Sequence, residues 1–401
     1  MLQNIWSRIK NGNVVYAVTI PLSVCMLFVI YSTMFQAKIS KKEVLQDTQS
    51  FISNQFTLCE NQGKQKSCYK NMAAELANNY STEDVLTAFL KNENNPKFYE
   101  KCHETLHFFG QQNYKNSPKL DELLLKGQAV CFSGYYHGVL EQYFTEKGID
   151  LSGDDDKEIN KEVPIICKNI LEQKSLRDYH ECLHGLGHSL MYATEQDVPR
   201  SLSICNSIPK QEDTDWCYTG VFMENSTSST NKEHPSKYLK AEDPLYPCNI
   251  LEAKYLPTCY TLQSFYFAEI SAYDWNKTAA LCLKIPDLYQ DKCFNALGQV
   301  EVGATSDPKT IYEKCEDLPT PKNQNECVKG SVGALGQRFT NGYENAKEFC
   351  GLIPKKFKQP CYEQIADLIT IWIKDKSNAE NFCQNIADAE YKLLCMKKIQ
   401  P

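Results

Sequence analysis

The chain reads as an all-α protein: an α-solenoid of disulfide-stapled helical hairpins with a period of about 34 residues, preceded by one transmembrane helix. Three observations lead there. Cysteines recur at a fixed step, most of the 19 cysteines stand in close pairs, and one long uncharged stretch lies near the N-terminus.

The step is seen first. Cys259, Cys293, Cys327, Cys361 and Cys395 follow one another every 34 residues, and Cys68 to Cys102 is the same interval. A fixed period in this range marks units that cannot bury an apolar face alone and must stack. The close pairs are Cys59/Cys68, Cys167/Cys182, Cys205/Cys217, Cys248/Cys259, Cys282/Cys293, Cys315/Cys327, Cys350/Cys361 and Cys383/Cys395. Each is expected to be bridged within its own hairpin. Cys102 and Cys131 have no near partner. Both fall at second-helix positions of adjacent units, where neighbouring helices lie close enough for a disulfide, so a bridge between repeats is expected there. No C-x2-C pair occurs, which removes the usual zinc-finger spacings. So many disulfides require an oxidising compartment.

Within a unit the first helix closes at C-x-x-[IL]-P, as at Cys205–Pro209, Cys282–Pro286, Cys315–Pro319 and Cys350–Pro354. Proline lacks an amide donor and disfavours helical geometry in the residue before it. The second helix starts near the second cysteine, often followed by an aromatic (Tyr218, Tyr260, Phe294, Tyr362). Small residues stand three places after that cysteine, at Gly134, Gly185, Gly220, Ala296 and Gly330, and would let helices approach closely. The period and hairpin plan resemble tetratricopeptide-like repeats, especially cysteine-rich secreted forms, over roughly residues 51–401. The resemblance is one of architecture and carries over no functional residue.

No charged residue lies between Lys10 and Lys38, and Val14–Gln36 is 23 mostly apolar residues, enough to cross a bilayer. The expected organisation is a cytoplasmic tail (1–13), a transmembrane anchor (14–36), a juxtamembrane stalk (37–50) and an extracytoplasmic repeat domain (51–401). The cysteines set the orientation: they need the oxidising side, so the N-terminus is cytoplasmic and the domain periplasmic or extracellular. Residues 1–42 hold five basic residues and no acid, so the rest of a chain of net charge −7 stands at −12. That balance excludes nucleic acid as a natural partner and suits cations. Two longer steps hold an acidic loop, GIDLSGDDDKEINKE, and a polar one, NSTSSTNKEHPSKYLKAEDP. Solvated loops explain both; Asp154–Asp156 offers calcium a carboxylate run without the EF-hand pattern.

Six of the seven histidines lie between 103 and 188: His103, His107, His137, His180, His184 and His188. Residues four apart share a helix face, so His103/His107 and His184/His188 are pairs able to hold one ion, with His137 on the helix between. Counted from each cysteine at about 100° per residue, His103 and His107 point about 100° away from His184 and His188, whereas His137 shares the angle of His188. Imidazoles suit a divalent transition metal, zinc or copper first, with Glu141 and Glu224 as possible carboxylate ligands. Gly138, Gly185 and Gly187 beside the histidines cost roughly 1 kcal/mol each in a helix, a cost that close approach would justify.

The segments HETLH (His103–His107) and HECLH (His180–His184) resemble the H-E-x-x-H motif of zinc peptidases. That resemblance implies Glu104 as a general base, with His103, His107 and one of His137 or Glu141 as ligands. Three functions follow in order of preference. The first is a membrane-anchored binding protein with a metal site in its N-terminal repeats and a protein-docking surface on the solenoid. The second is a zinc-dependent hydrolase or peptidase, or another metalloenzyme, on the same histidines, and the third a metal-free interaction scaffold.

Overall fold

The computed structural model describes residues 43–62, 65–92, 96–147, 156–228, 235–305, 307–338, 342–373 and 375–399. The expected tail, the anchor and residues 37–42 of the stalk lie outside the described residues. Among those described, no helix is long and apolar enough to cross a membrane. Residues 43–50, expected to be stalk, are helical. They open α1 (43–60), whose Thr48, Ile52, Phe56 and Cys59 fall on one buried face at helical spacing.

The described residues are all-α, with no strand among them. After α1 come α2 (Gln65–Asn79), α3 (Thr82–Asn92), α4 (Pro96–Asn116), α5 (Leu120–Lys126), α6 (Gly134–Lys147), α7 (Lys157–Ile166) and α8 (Lys168–Gln173). Then follow α9 (Leu176–Ala193), α10 (Val198–Cys205), α11 (Gln211–Thr227), α12 (Leu256–Ile270), α13 (Trp275–Cys282) and α14 (Gln290–Ala304). The C-terminal units hold α15 (Pro308–Glu316), α16 (Pro321–Arg338), α17 (Gly342–Leu352), α18 (Lys355–Trp372), α19 (Lys376–Gln384) and α20 (Ala389–Ile399).

First helices start and stop by a repeated device. Asp197, Asp274, Asp307 and Asp375 cap α10, α13, α15 and α19, each carboxylate accepting from an amide three residues on. At the other end, Ile208, Ile285, Leu318 and Ile353 of the C-x-x-[IL]-P segments are all buried. The aliphatic residue plugs the core while the proline turns the chain outward.

Second helices form a continuous row in which α4 packs on α6, α6 on α9, α9 on α11, and so on to α20. Glycine makes the closest of these contacts possible. A β-carbon on Gly138 would stand 1.9 Å from the His107 carbonyl oxygen, and one on Gly220 1.9 Å from that of His184. Only a residue without a side chain lets the backbones meet so tightly. The row also bends back on itself: Arg177 of α9 donates to the carbonyl of Gln337 at the end of α16, 2.7 Å away, and α9 touches α18.

Nine disulfides staple the units, with Cα separations of 5.4–5.9 Å, inside the usual range. Eight join the close pairs and the ninth joins Cys102 to Cys131. Two details differ from the simple repeat. Cys131 is not on a helix: Cys131, Phe132 and Ser133 form a left-handed turn, with φ of 52°, 50° and 59°, just before α6. Cys248 lies on a single 3-10 turn, Cys248–Ile250, so that unit has no first helix of its own. Residues 235–247 precede that turn without a helix, held by Gln263, whose amide donates to the carbonyls of Pro244 and Tyr246.

Candidate metal centre

Four adjacent helices of the row build the site. His103 and His107 come from α4, His137 from α6, His184 and His188 from α9, and the partners Thr219 and Glu224 from α11. His137, His184 and His188 each bring one nitrogen within 4.8 Å of the other two. Their ring centres are 4.5 Å (His137–His188), 4.7 Å (His184–His188) and 5.4 Å (His137–His184) apart. His137 is only 3% exposed, and its imidazole lies over Gly185, where a β-carbon would come 2.9 Å from Cδ2. The glycine three places after Cys182 is therefore the seat of a histidine ring.

Hydrogen bonds decide which nitrogens are free. The Thr219 hydroxyl gives its one hydrogen to the Trp216 carbonyl, 2.6 Å away. It must then accept from Nδ1–H of His184, at 2.8 Å. On His188, Nδ1 donates to the Glu224 carboxylate at 2.9 Å. Both protons are thus on Nδ1, and the two bare Nε2 atoms face each other 3.1 Å apart. Opposed lone pairs at that distance repel unless they share a cation. Two nitrogens on one tetrahedral zinc ion are about 3.3 Å apart, given Zn–N distances of roughly 2.0–2.1 Å. Nε2 of His137, buried and without a protein partner, faces the same requirement.

A proton is a poor substitute for a metal there. Burial, aided by neighbouring imidazoles, lowers the pKa of His188 to about 3. Burial and then His188 hold His137 well below its usual value, and burial and His188 do the same to His184. Neutral imidazoles are the form a metal takes.

The remaining candidates sit around this group. His103 donates from Nδ1 to the Cys131 carbonyl at 3.0 Å, and its ring centre is 5.1 Å from that of His137. His107 has the reverse arrangement: the Gln111 amide approaches Nδ1 at 3.4 Å, and Nε2 meets the Glu141 carboxylate at 3.1 Å. Burial lowers both to about 4. Glu224 and Glu141 thus contact histidines rather than joining the three-histidine group. Glu224 is what usually stands behind a ligating histidine, fixing the ring and offsetting the ion's charge. Glu104 bears electrostatically on Tyr69 of α2. His180 stacks on Trp216, with ring centres 4.5 Å apart and an interplanar angle of 16°, so the HECLH segment sends its two histidines to different places. Asp156 pairs with Arg200 at 2.8 Å, whereas Asp154 and Asp155 lie outside the described residues.

Sequence reasoning did not single out Thr219. It stands two residues after Cys217, as His184 stands two after Cys182. That shared offset was the available signal, since equal offsets face each other across the row. Fold and site together define a disulfide-stapled, all-α helical-repeat protein with a histidine cluster at the junction of four second helices. No protein-family model, no curated protein and no solved structure matches this chain.

Proposed function

We propose that the chain is a membrane-anchored, extracytoplasmic α-solenoid that binds a transition metal, zinc or copper, through Nε2 of His137, His184 and His188. One observation carries this reading: two imidazoles whose Nδ1 atoms are already engaged turn their bare Nε2 atoms toward each other at 3.1 Å. Three neutral imidazoles with an outer carboxylate suit either metal. Segment 14–36 serves as the anchor, and the C-terminal repeats supply a surface for a protein partner.

Metal analysis of the full chain, purified in detergent from metal-replete cells without a histidine tag, tests the reading. Stoichiometric zinc or copper is expected, and His184→Ala and His188→Ala should each remove it. Metal that survives both substitutions places the site elsewhere. No metal at all leaves the scaffold reading. Deleting 14–36 should release the domain from membranes into the soluble fraction.

A further inference from the structure

Two imidazoles and a carboxylate stand beside the three-histidine group without belonging to it. His103 and His107 are four residues apart on α4, with ring centres separated by 6.2 Å. Glu141 reaches His107 from α6 at 3.1 Å. These side chains lie where α4 and α6 meet most tightly, at Gly134 and Gly138, and where the Cys102–Cys131 bridge ties the two strands of chain together. His137 is the neighbour of both, with ring centres 5.1 Å from His103 and 6.2 Å from His107. The side chains of His107 and Glu141 are 19% and 18% exposed, against 11% and 10% for His188 and Glu224 of the inner group.

The geometry points to a second divalent-metal site on His103, His107 and Glu141, through which the buried His137–His184–His188 centre is loaded. This inference rests on the inner group being a metal centre. The donor set is chemically complete for a weak site: two imidazoles, and one carboxylate that cancels part of the ion's charge. His103 already carries the outer bond of a ligating histidine, Nδ1–H to the backbone carbonyl of Cys131.

The spacing sets the order of affinity. Two imidazoles on one tetrahedral ion have ring centres about 5 Å apart, from metal–nitrogen distances of roughly 2.0–2.1 Å. The inner rings are 4.5–5.4 Å apart, and each brings one nitrogen within 4.8 Å of the other two. His103 and His107 must draw together by about 1 Å, so their site is the weaker one. Finally, a divalent ion cannot enter a buried pocket bare, because lost hydration must be replaced at each step. An outer site one imidazole away lets ligands exchange singly, His103 giving the ion up to His137.

The test uses Co2+ as probe with the metal-stripped full chain in detergent. Wild type should bind two ions, one tightly and one weakly. Glu141→Gln and His107→Gln should each abolish the weak site, leave the final tight occupancy unchanged, and slow filling of the tight site by about tenfold in stopped-flow mixing. His188→Ala should do the reverse, losing the tight ion and keeping the weak one. A single ion in wild type overturns the second site while leaving the inner centre standing. So does an unchanged stoichiometry and rate in both outer variants, or loss of the tight ion in either while the protein stays helical by circular dichroism. No ion in wild type overturns both readings.

Discussion

Gly185 is the residue on which the histidine cluster turns. A β-carbon there would press on the His137 ring from 2.9 Å, and the ring, not backbone, would yield. Gly185→Ala should therefore lower metal affinity by about tenfold while the helix itself gains, alanine being the better helix former by roughly 1 kcal/mol. Co2+ titration beside circular dichroism checks this: weaker binding with full helicity is expected. Gly220→Ala differs, because its β-carbon would meet the His184 carbonyl at 1.9 Å, and backbone cannot step aside. It should lower thermal stability as well. His180 supplies a pH dependence apart from the metal. Burial against Trp216 lowers its pKa to about 4, below the roughly 6.5 of an unfolded chain. Between those values the unfolded state binds a proton that the folded state refuses. Stability is thus full above about pH 6.5 and falls as pH drops through that window. His180→Gln should flatten the slope of urea midpoints measured from pH 7.5 to pH 5.

Among the elements, α9 carries most of the consequence, since it brings two of the three central histidines and is the helix on which the row closes. Its start is fixed by Ser175, whose hydroxyl accepts from the Asp178 amide at 3.0 Å. Ser175→Ala should cost about 1 kcal/mol, read as a lowered denaturant midpoint. The connection between α4 and α6 is more particular. Every other bridge joins cysteines 9–15 residues apart, but Cys102–Cys131 spans 29. It also holds the carbonyl that orients His103. The double substitution Cys102→Ser, Cys131→Ser should weaken metal binding more than Cys350→Ser, Cys361→Ser does, although each removes one bridge. Equal effects would separate the disulfide from the site.

For the whole molecule, the metal and the fold should come apart. Each hairpin bridge closes a loop of about a dozen residues, for which chain entropy predicts roughly 3 kcal/mol. With eight of them and the longer Cys102–Cys131 bridge, the domain has no need of an ion to fold. Chelation should leave the circular dichroism spectrum intact, whereas reduction with denaturant present should collapse the thermal transition. A chain that unfolds on chelation alone would be built around its metal, like a zinc finger.

The period, the pairing of the close cysteines and the helical hairpin were legible in the sequence because each is local. A cysteine step of 34 residues, a proline after an aliphatic residue and a glycine at a fixed offset need only the next unit to have a meaning. His137 stands six residues after Cys131, as His188 stands six after Cys182, and those two rings stack 4.5 Å apart, but the left-handed turn at Cys131–Ser133 means that no helical angle runs from Cys131 to His137. Equal offsets meet where close glycine contacts seat one second helix on the next, as at Gly187 and Gly220. What the sequence could not decide is where each proton and each carboxylate goes. Glu141, one turn beyond His137, and Glu224, in the next repeat, were both candidate carboxylates for one ion. Across the row, Glu224 stands behind His188 and Glu141 beside His107. Of the two H-E-x-x-H segments, which sit at different phases of the repeat, one directs His180 onto Trp216 and in the other the charge of Glu104 bears on Tyr69. A helix's own periodicity sets the direction in which a side chain leaves it. Which group it meets is decided by the neighbouring helix, and only tertiary packing supplies that.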